Sequence, residues 1–211
     1  TDTFTVVLNA QPDSDVVFAV TSSDDGETSV ASSLTFTNAN WNTPQTVTVT
    51  GVDDDIIDGT VSSSITLSVI DAVSDNNFDA LADQTVTATT TDDDVAGFTI
   101  AETGGSTSVA ETGTTDTFTI ALDAQPISDV VLSISTSDST ETTVTSLLTF
   151  TNGNWDTPQT VTVTGLNDDI IDGTISSTLT IAIVDAISDN DFDGVADQTV
   201  TATTTDDDVA G

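Results

Sequence analysis

Two runs of three consecutive aspartates are the residues of this sequence whose type and spacing could do chemistry. Asp92–Asp94 follows a threonine-rich stretch, and Asp206–Asp208 repeats it near the end of the chain. Adjacent carboxylates repel by about 1 kcal/mol per close pair even in water. The chain carries a formal charge of −36 and contains no Lys, Arg or His that could neutralise them. The pattern therefore indicates a hard divalent cation with oxygen ligands, and calcium above all.

The kind of acid favours the same interpretation. Aspartate far outnumbers glutamate, which occurs only at Glu27, Glu102, Glu111 and Glu141. Short aspartates in loops beside Gly and Asn are typical of calcium cages, whereas a merely solubilising surface, the alternative for the scattered acids, uses both residues freely. This charge also excludes nucleic acid and anionic membranes as partners, because both are bound through Lys and Arg.

The missing side chains argue against an enzyme. Without Cys, His, Lys, Arg or Tyr, the chain lacks the usual bases, nucleophiles and imidazole ligands. A glycosidase-like carboxylate pair would need one acid kept protonated in an apolar pocket, yet the aspartates lie in polar clusters. No apolar run approaches the roughly 18 residues of a membrane span. We expect a non-catalytic fragment of a secreted or cell-surface protein, without membrane insertion.

The sequence repeats itself with a period of 114 residues. Phe4 matches Phe118 and Trp41 matches Trp155, so residues 1–97 recur as residues 115–211. We predict a complete unit at residues 98–211 and, at residues 1–97, a copy that lacks its first strand. That strand would come from upstream sequence or from a neighbouring repeat or molecule by strand donation.

Apolar residues alternate with polar residues within each copy. Phe118, Ile120 and Leu122 are one such series, and Leu179 with Ile181 belongs to another. A period of two predicts half-buried strands, and about seven of them in 114 residues predict an all-β fold. We expect tandem immunoglobulin-like antiparallel β-sandwiches, with Val, Ile, Leu and Phe inside and Thr and Ser outside.

Two segments carry a resemblance to a known family. Thr164–Gly173 (TGLNDDIIDG), followed by an alternating strand and the closing Asp206–Asp208, resembles the Calx-beta domain of sodium/calcium exchangers and large bacterial surface proteins. The opening Phe98–Glu102 and Ser108–Glu111 are similar to that family's first strand. The resemblance implies calcium ions at one tip of each sandwich, at the join to the next domain.

The resemblance also implies which acids bind the metal. In the second copy they are Glu111, Asp168, Asp169, Asp172, Asp206, Asp207 and Asp208. In the first copy they are Asp53, Asp54, Asp55, Asp58, Asp92, Asp93 and Asp94, with Glu102 near the joint. Asn167 replaces an acid of the family pattern, Asp58 and Asp172 stand where Glu is usual, and a Gly-x-Asp-Tyr-like segment is missing, so the number of ions stays open.

A further acidic loop stands outside the family pattern. Its acids are Asp189, Asp191, Asp193 and Asp197, in a D-x-D-x-D-G-x-x-D spacing that places oxygens at calcium-loop positions 1, 3, 5 and 9. Its copy contains Asp75, Asn77, Asp79 and Asp83. The spacing predicts a second calcium site, and an acidic Asx turn is the alternative.

Two functions are compatible with these features. One is a structural extender, in which calcium rigidifies the joints between repeats of a secreted or cell-surface filament or adhesin. The other is a calcium-dependent module that binds a glycan or a protein. Copying of a whole unit favours the extender, because a specialised site seldom needs duplication.

Overall fold

The computed structural model describes residues 1–210 of the 211-residue chain. It divides into two compact units, one formed by residues 1–54 and 58–93 and the other by residues 55–57 and 94–211. Both are built from mainly antiparallel sheets, consistent with an immunoglobulin-like sandwich. The predicted all-β class is confirmed.

Unit one contains two sheets. Its strands are β1 (Asp2–Val6), β2 (Val16–Ser22), β3 (Thr28–Val30), β4 (Ser33–Phe36), β5 (Gln45–Gly51), β6 (Val61–Val69) and β7 (Gln84–Thr90). One sheet has the order β1-β5-β3 and the other β4-β2-β6-β7. The alternating apolar residues of both sheets meet in one core, in which Phe18 and Phe36 pack edge to face with ring centroids 6.2 Å apart.

Unit two repeats this plan and adds two strands. Its strands are β8 (Phe98–Glu102), β9 (Thr107–Ala110), β10 (Thr115–Leu122), β11 (Val130–Thr136), β12 (Thr142–Val144), β13 (Leu147–Phe150), β14 (Gln159–Gly165), β15 (Ile175–Ile183) and β16 (Gln198–Thr205). The sheets have the orders β12-β14-β10-β8 and β13-β11-β15-β16-β9. Strand β8 therefore extends one sheet and β9 the other.

Strand β9 pairs with β16 in the parallel direction, unlike the other strand pairs of the described residues. In this register Thr107 lies opposite Ala202, and Ala110 lies opposite Thr205. Parallel pairing brings the ends of both strands to the same edge of the sheet. The residues that follow them, Glu111 and Asp206, thus emerge side by side.

Helical structure is confined to single 3₁₀ turns in the described part of the chain. These turns span Asp71–Val73, Thr103–Gly105, Asp185–Ile187 and Asn190–Phe192. None of the helices within residues 1–210 has the length and apolarity that crossing a membrane requires.

The two copies differ in how well the same core position is covered. Phe118 on β10 is fully buried, whereas its counterpart Phe4 on β1 is only half-buried. We predict that Phe118→Ala lowers the free energy of unfolding of unit two by about 3–5 kcal/mol, because it leaves a cavity in a closed core. Phe4→Ala should cost unit one clearly less.

Urea unfolding followed by tryptophan fluorescence measures both effects. Trp41 reports on unit one and Trp155 on unit two when the other tryptophan is replaced by Phe. Equal losses for the two substitutions would contradict the difference in core coverage.

Candidate metal centre

Glu111 is the buried acid around which the candidate metal centre is built. It directly follows β9, and its backbone N–H donates to the carbonyl oxygen of Thr205 at 3.1 Å. That bond extends the parallel ladder by one residue and turns the side chain inward. Glu111 is only 1% exposed, and neither of its carboxylate oxygens has a hydrogen-bond partner among the described residues. Such burial of an acid is costly without a compensating partner.

Glu141 approaches the same centre from another loop. It immediately precedes β12, and its backbone carbonyl accepts a hydrogen bond of 2.8 Å from the N–H of Leu166. The side chain is 4% exposed, and its Oε2 is buried without a hydrogen-bond partner within residues 1–210. Glu141 therefore brings a second long acidic side chain to the centre, with one carboxylate oxygen that accepts no hydrogen bond.

Carboxylates from three other loops converge on Glu111. Its oxygens form one group of three with Asp168 and Asp208 and another with Glu141 and Asp172, and the ligand atoms of each group lie within 4.8 Å of one another. Because Glu111 belongs to both groups, it is the shared member of the set. We call this set, together with the neighbouring Asp206, the acidic cage; its members are Glu111, Glu141, Asp168, Asp172, Asp206 and Asp208.

Asp206 fixes the backbone of the acidic cage. Its Oδ2 accepts the N–H of Gly173 at 2.8 Å, and its Oδ1 accepts the N–H of Asp208 at 2.6 Å. These hydrogen bonds hold the pKa of Asp206 below its usual range. Gly173 has a φ of 76°, which a glycine adopts without strain, so the loop can present its N–H to Asp206.

The remaining acids repel one another. Burial, followed by the charge of Asp206, raises the pKa of Glu111, and burial, followed by the charge of Asp172, raises the pKa of Glu141. The pKa of Asp208 is also raised, first by burial and then by Asp169. One Asp208 oxygen, Oδ2, is buried without a hydrogen-bond partner in the described chain. The cage thus offers several oxygens that would be satisfied by a cation.

Unit one holds the acids equivalent to Glu141, Asp172 and Asp206, namely Glu27, Asp58 and Asp92. The period of 114 residues maps Glu141 onto Glu27, which accepts a hydrogen bond of 2.7 Å from the Thr90 hydroxyl. The N–H groups of Asp58 and Gly59 donate to Oδ2 of Asp92 at 3.0 and 2.8 Å, as in unit two. Burial, followed by the neighbouring Glu27, raises the pKa of Asp58.

The loop of Asp189 is arranged differently from the acidic cage. Asp189 is buried, but its Oδ2 accepts the N–H of Ser128 at 2.8 Å and its Oδ1 that of Asp191 at 3.2 Å. Phe192, in the same loop, is fully buried in the core. The other acids of this loop, Asp191, Asp193 and Asp197, are exposed. This is the geometry of an Asx turn that anchors the loop, the alternative considered from the sequence.

The copy of this loop in unit one has the same arrangement. Asp75 accepts backbone hydrogen bonds from Asp13, Ser14 and Asn77, at 2.6, 3.2 and 2.9 Å. These bonds, that of Asn77 first, lower the pKa of Asp75. A carboxylate already saturated with N–H donors has less need of a metal ion.

The other acids that the sequence proposed lie outside the groups of three found within residues 1–210. They are Asp169, Asp207, Glu102, Asp53, Asp54, Asp55, Asp58, Asp92, Asp93 and Asp94. Asp169 and Asp207 are exposed beside the cage, and Glu102 accepts a hydrogen bond of 2.8 Å from the Thr107 hydroxyl. Sequence reasoning missed Glu141. The recurrence of glutamate at Glu27 and Glu141, in a chain dominated by aspartate, is the signal that could have identified it.

Comparison with protein-family models and with curated proteins gives no match. Among solved structures, domains 4 and 5 of the S-layer protein SbsC share 17% identity, with a TM-score of 0.41 over 89% of this chain and 70% of that one. The apo form of the Calx CBD1 domain shares 16% identity, with a TM-score of 0.38 over 53% of this chain and 98% of that one. Similarity at this level does not assign a function to this chain.

The raised pKa values predict an unusual pH dependence for the metal-free protein. Glu111, Glu141 and Asp208 destabilise the fold while ionised, so stability should rise as the pH falls from 7 to about 4.5 and they take up protons. Below about pH 3.8 this gain should reverse, because Asp206, with its lowered pKa, becomes protonated and loses its bonds.

Thermal unfolding of metal-stripped protein between pH 7 and pH 3 measures this profile. In the Glu111→Gln variant the rise between pH 7 and pH 4.5 should be much smaller, because one of the raised groups no longer titrates. A wild-type melting temperature that falls steadily from pH 7 downwards would contradict the electrostatics of the cage.

Proposed function

We propose that this protein is a calcium-binding structural repeat of a secreted or cell-surface filament or adhesin. The observation that carries the proposal is Glu111, a buried acid with two unpartnered oxygens that faces further carboxylates. One proton or one hydrogen-bond donor satisfies a single acceptor oxygen, whereas one divalent cation satisfies several at once. The protein then works as a non-catalytic spacer that holds other domains in place.

The ligand chemistry favours calcium among the common metal ions. Zinc and copper sites rely on His and Cys, which this chain lacks. Magnesium keeps most of its water and is seldom held in a cage made wholly of protein oxygens. Calcium takes six to eight oxygens at about 2.3–2.6 Å and tolerates irregular geometry, and carboxylates from several loops provide such a set.

The distribution of charge supports a role in stiffening an array of repeats. Residues 95–97 follow Asp92–Asp94 directly, and the chain has no basic side chain to offset the aspartates. Unneutralised acids repel one another, and an ion bound between carboxylates would replace that repulsion with coordination. Neighbouring repeats and calcium are thus the proposed partners. Extracellular modules bind calcium at about 10⁻⁴ to 10⁻³ M, which suits a location outside the cell.

Glu111→Gln is the substitution that tests the calcium site. We predict that calcium at about 100 times its dissociation constant stabilises wild-type unit two by about 2.7 kcal/mol. The variant should lose most of this stabilisation and most of the heat of calcium binding measured by calorimetry. Glutamine removes the negative charge of Glu111, which belongs to both groups of three acids. Asp156→Asn is the matched control, since it removes one exposed charge from a turn outside the cage. Equal calcium affinity of both variants would contradict the site.

Small-angle scattering tests the mechanical role. We predict that adding calcium to the metal-free chain makes the particle more rigid without changing its β-sheet signal, because each unit has an apolar core of its own. Scattering curves and far-ultraviolet circular dichroism are recorded with calcium and with chelator. Unchanged flexibility would contradict stiffening, and loss of the β-sheet signal in chelator would show that calcium holds the fold itself.

A further inference from the structure

The turn at residues 151–154 contains an Asn-Gly pair, Asn152–Gly153, and no other asparagine in the sequence precedes a glycine. The Asn154 N–H donates to the carbonyl oxygen of Thr151 at 3.1 Å, and the Thr151 N–H donates to Oδ1 of Asn154 at 2.6 Å. These two bonds close the turn around the pair. Asn152 and Gly153 are both exposed. An asparagine side chain, the backbone nitrogen that follows it and water therefore meet in one place.

Unit one contains a copy of this turn at residues 37–40 that differs in the residue after the asparagine. The same two hydrogen bonds close it, at 3.2 and 2.6 Å. Asn38 is followed by Ala39, whereas Asn152 is followed by Gly153. A methyl group beside the backbone nitrogen hinders the approach of a neighbouring side chain, and glycine has no such group and adopts more backbone conformations. The two copies thus provide a matched comparison.

The two asparagine side chains are also held differently. Nδ2 of Asn38 donates to the carbonyl oxygen of Pro12 at 3.2 Å. Among the described residues the side chain of Asn152 forms no hydrogen bond, and Asn152 is held through its backbone carbonyl, which accepts from Nε2 of Gln125 at 3.0 Å. Asn152 can therefore turn its amide towards the following residue without breaking a bond, whereas Asn38 cannot.

The backbone nitrogen of Gly153 is only weakly engaged. Its N–H donates to Oγ1 of Thr151 at 3.3 Å, which is longer than the roughly 2.9–3.0 Å typical of such bonds. A Cβ built on Gly153 would meet no atom within 4 Å apart from its chain neighbours, so the space beside the nitrogen is open. The Asp-Gly pair of the acidic cage, Asp172–Gly173, is different, because the Gly173 N–H donates to Asp206 at 2.8 Å.

We infer that Asn152 is a site of spontaneous deamidation through a cyclic succinimide closed by the Gly153 nitrogen. In the first step this nitrogen forms a bond to Cγ of Asn152, the Cγ–Nδ2 bond breaks, and Nδ2 leaves as ammonia with the proton of the Gly153 N–H. In the second step water adds to one of the two ring carbonyls and opens the ring to aspartate or isoaspartate. No oxidant or reductant takes part, and water is the co-reactant.

The products differ from Asn152 in charge and in main-chain length. Each adds one negative charge to a chain that already carries −36, and isoaspartate also adds a methylene group to the main chain of the turn. The residue after the turn, Trp155, accepts the N–H of Leu122 at the end of β10 at 2.9 Å. Glu111 precedes the start of β10, so the turn and the acidic cage lie at opposite ends of this strand. Deamidation of Asn152 therefore does not depend on calcium at the cage.

Mass spectrometry of peptic peptides, taken from the full chain during incubation at neutral pH, tests this reaction. We expect a mass increase of about 1 Da at Asn152, with isoaspartate among the products. The rate should be at least about tenfold higher than at Asn38, which is the control within the same molecule. Formation of aspartate without isoaspartate would overturn the cyclic route, because the ring opens at either carbonyl.

Two substitutions exchange the residues that differ between the turns. Gly153→Ala should lower the rate at Asn152 at least about tenfold. Ala39→Gly should raise the rate at Asn38, but not to that of Asn152, because the bond to Pro12 still holds the Asn38 amide. Circular dichroism of both variants, compared with that of the wild type, verifies that the fold is kept.

Incubation of the same chain unfolded in urea measures how far the fold protects the site. A rate at Asn152 in the folded chain within about tenfold of the rate in urea supports the proposal. Stronger protection, or an intact Asn152 in the folded chain, overturns it. A rate that Gly153→Ala leaves unchanged also overturns it, because the glycine nitrogen would then have no special part in the reaction.

Discussion

The candidate metal centre of unit two is arranged around the buried carboxylate of Glu111, which accepts no hydrogen bond from the described residues. Glu111 lies at the end of β9 with both oxygens unpartnered among the described residues, and no basic side chain exists anywhere in the sequence to pair with it. The fold around it nevertheless keeps the acids in place, because Asp206 holds the neighbouring loop through backbone N–H groups. Like charges held close together repel one another, and protons or a cation would relieve that repulsion.

The strand that carries Glu111 links this electrostatic centre to the hydrophobic core. Thr107 and Val109 face inward and close the sandwich beside β16, and the next inward residue is Glu111 itself. One segment thus completes both the core and the acidic cage. In unit one the inner face of β7 and Phe4 are half-buried.

The sequence predicts the sandwich well because period-two alternation can be recognised within a short segment, and the 114-residue repeat by comparing the sequence with itself. It could not predict the parallel pairing of β9, since register and direction are set by contacts distant in sequence. Glu141 escaped prediction for the same reason, because its turn meets the Glu111 loop only after folding. The spacing of the Asp189 loop matches a calcium loop, and it could not show that the oxygens of Asp189 accept backbone N–H groups; calcium binding there stays a prediction.

Diffraction from crystals grown in calcium tests the central claim most directly. An anomalous difference map locates the ion without reference to the protein atoms. The account predicts a peak about 2.3–2.6 Å from carboxylate oxygens of Glu111, with further acids of the cage completing six to eight ligands. A structure at saturating calcium in which Glu111 remains without an ion, while calcium binds elsewhere on the unit, would contradict it.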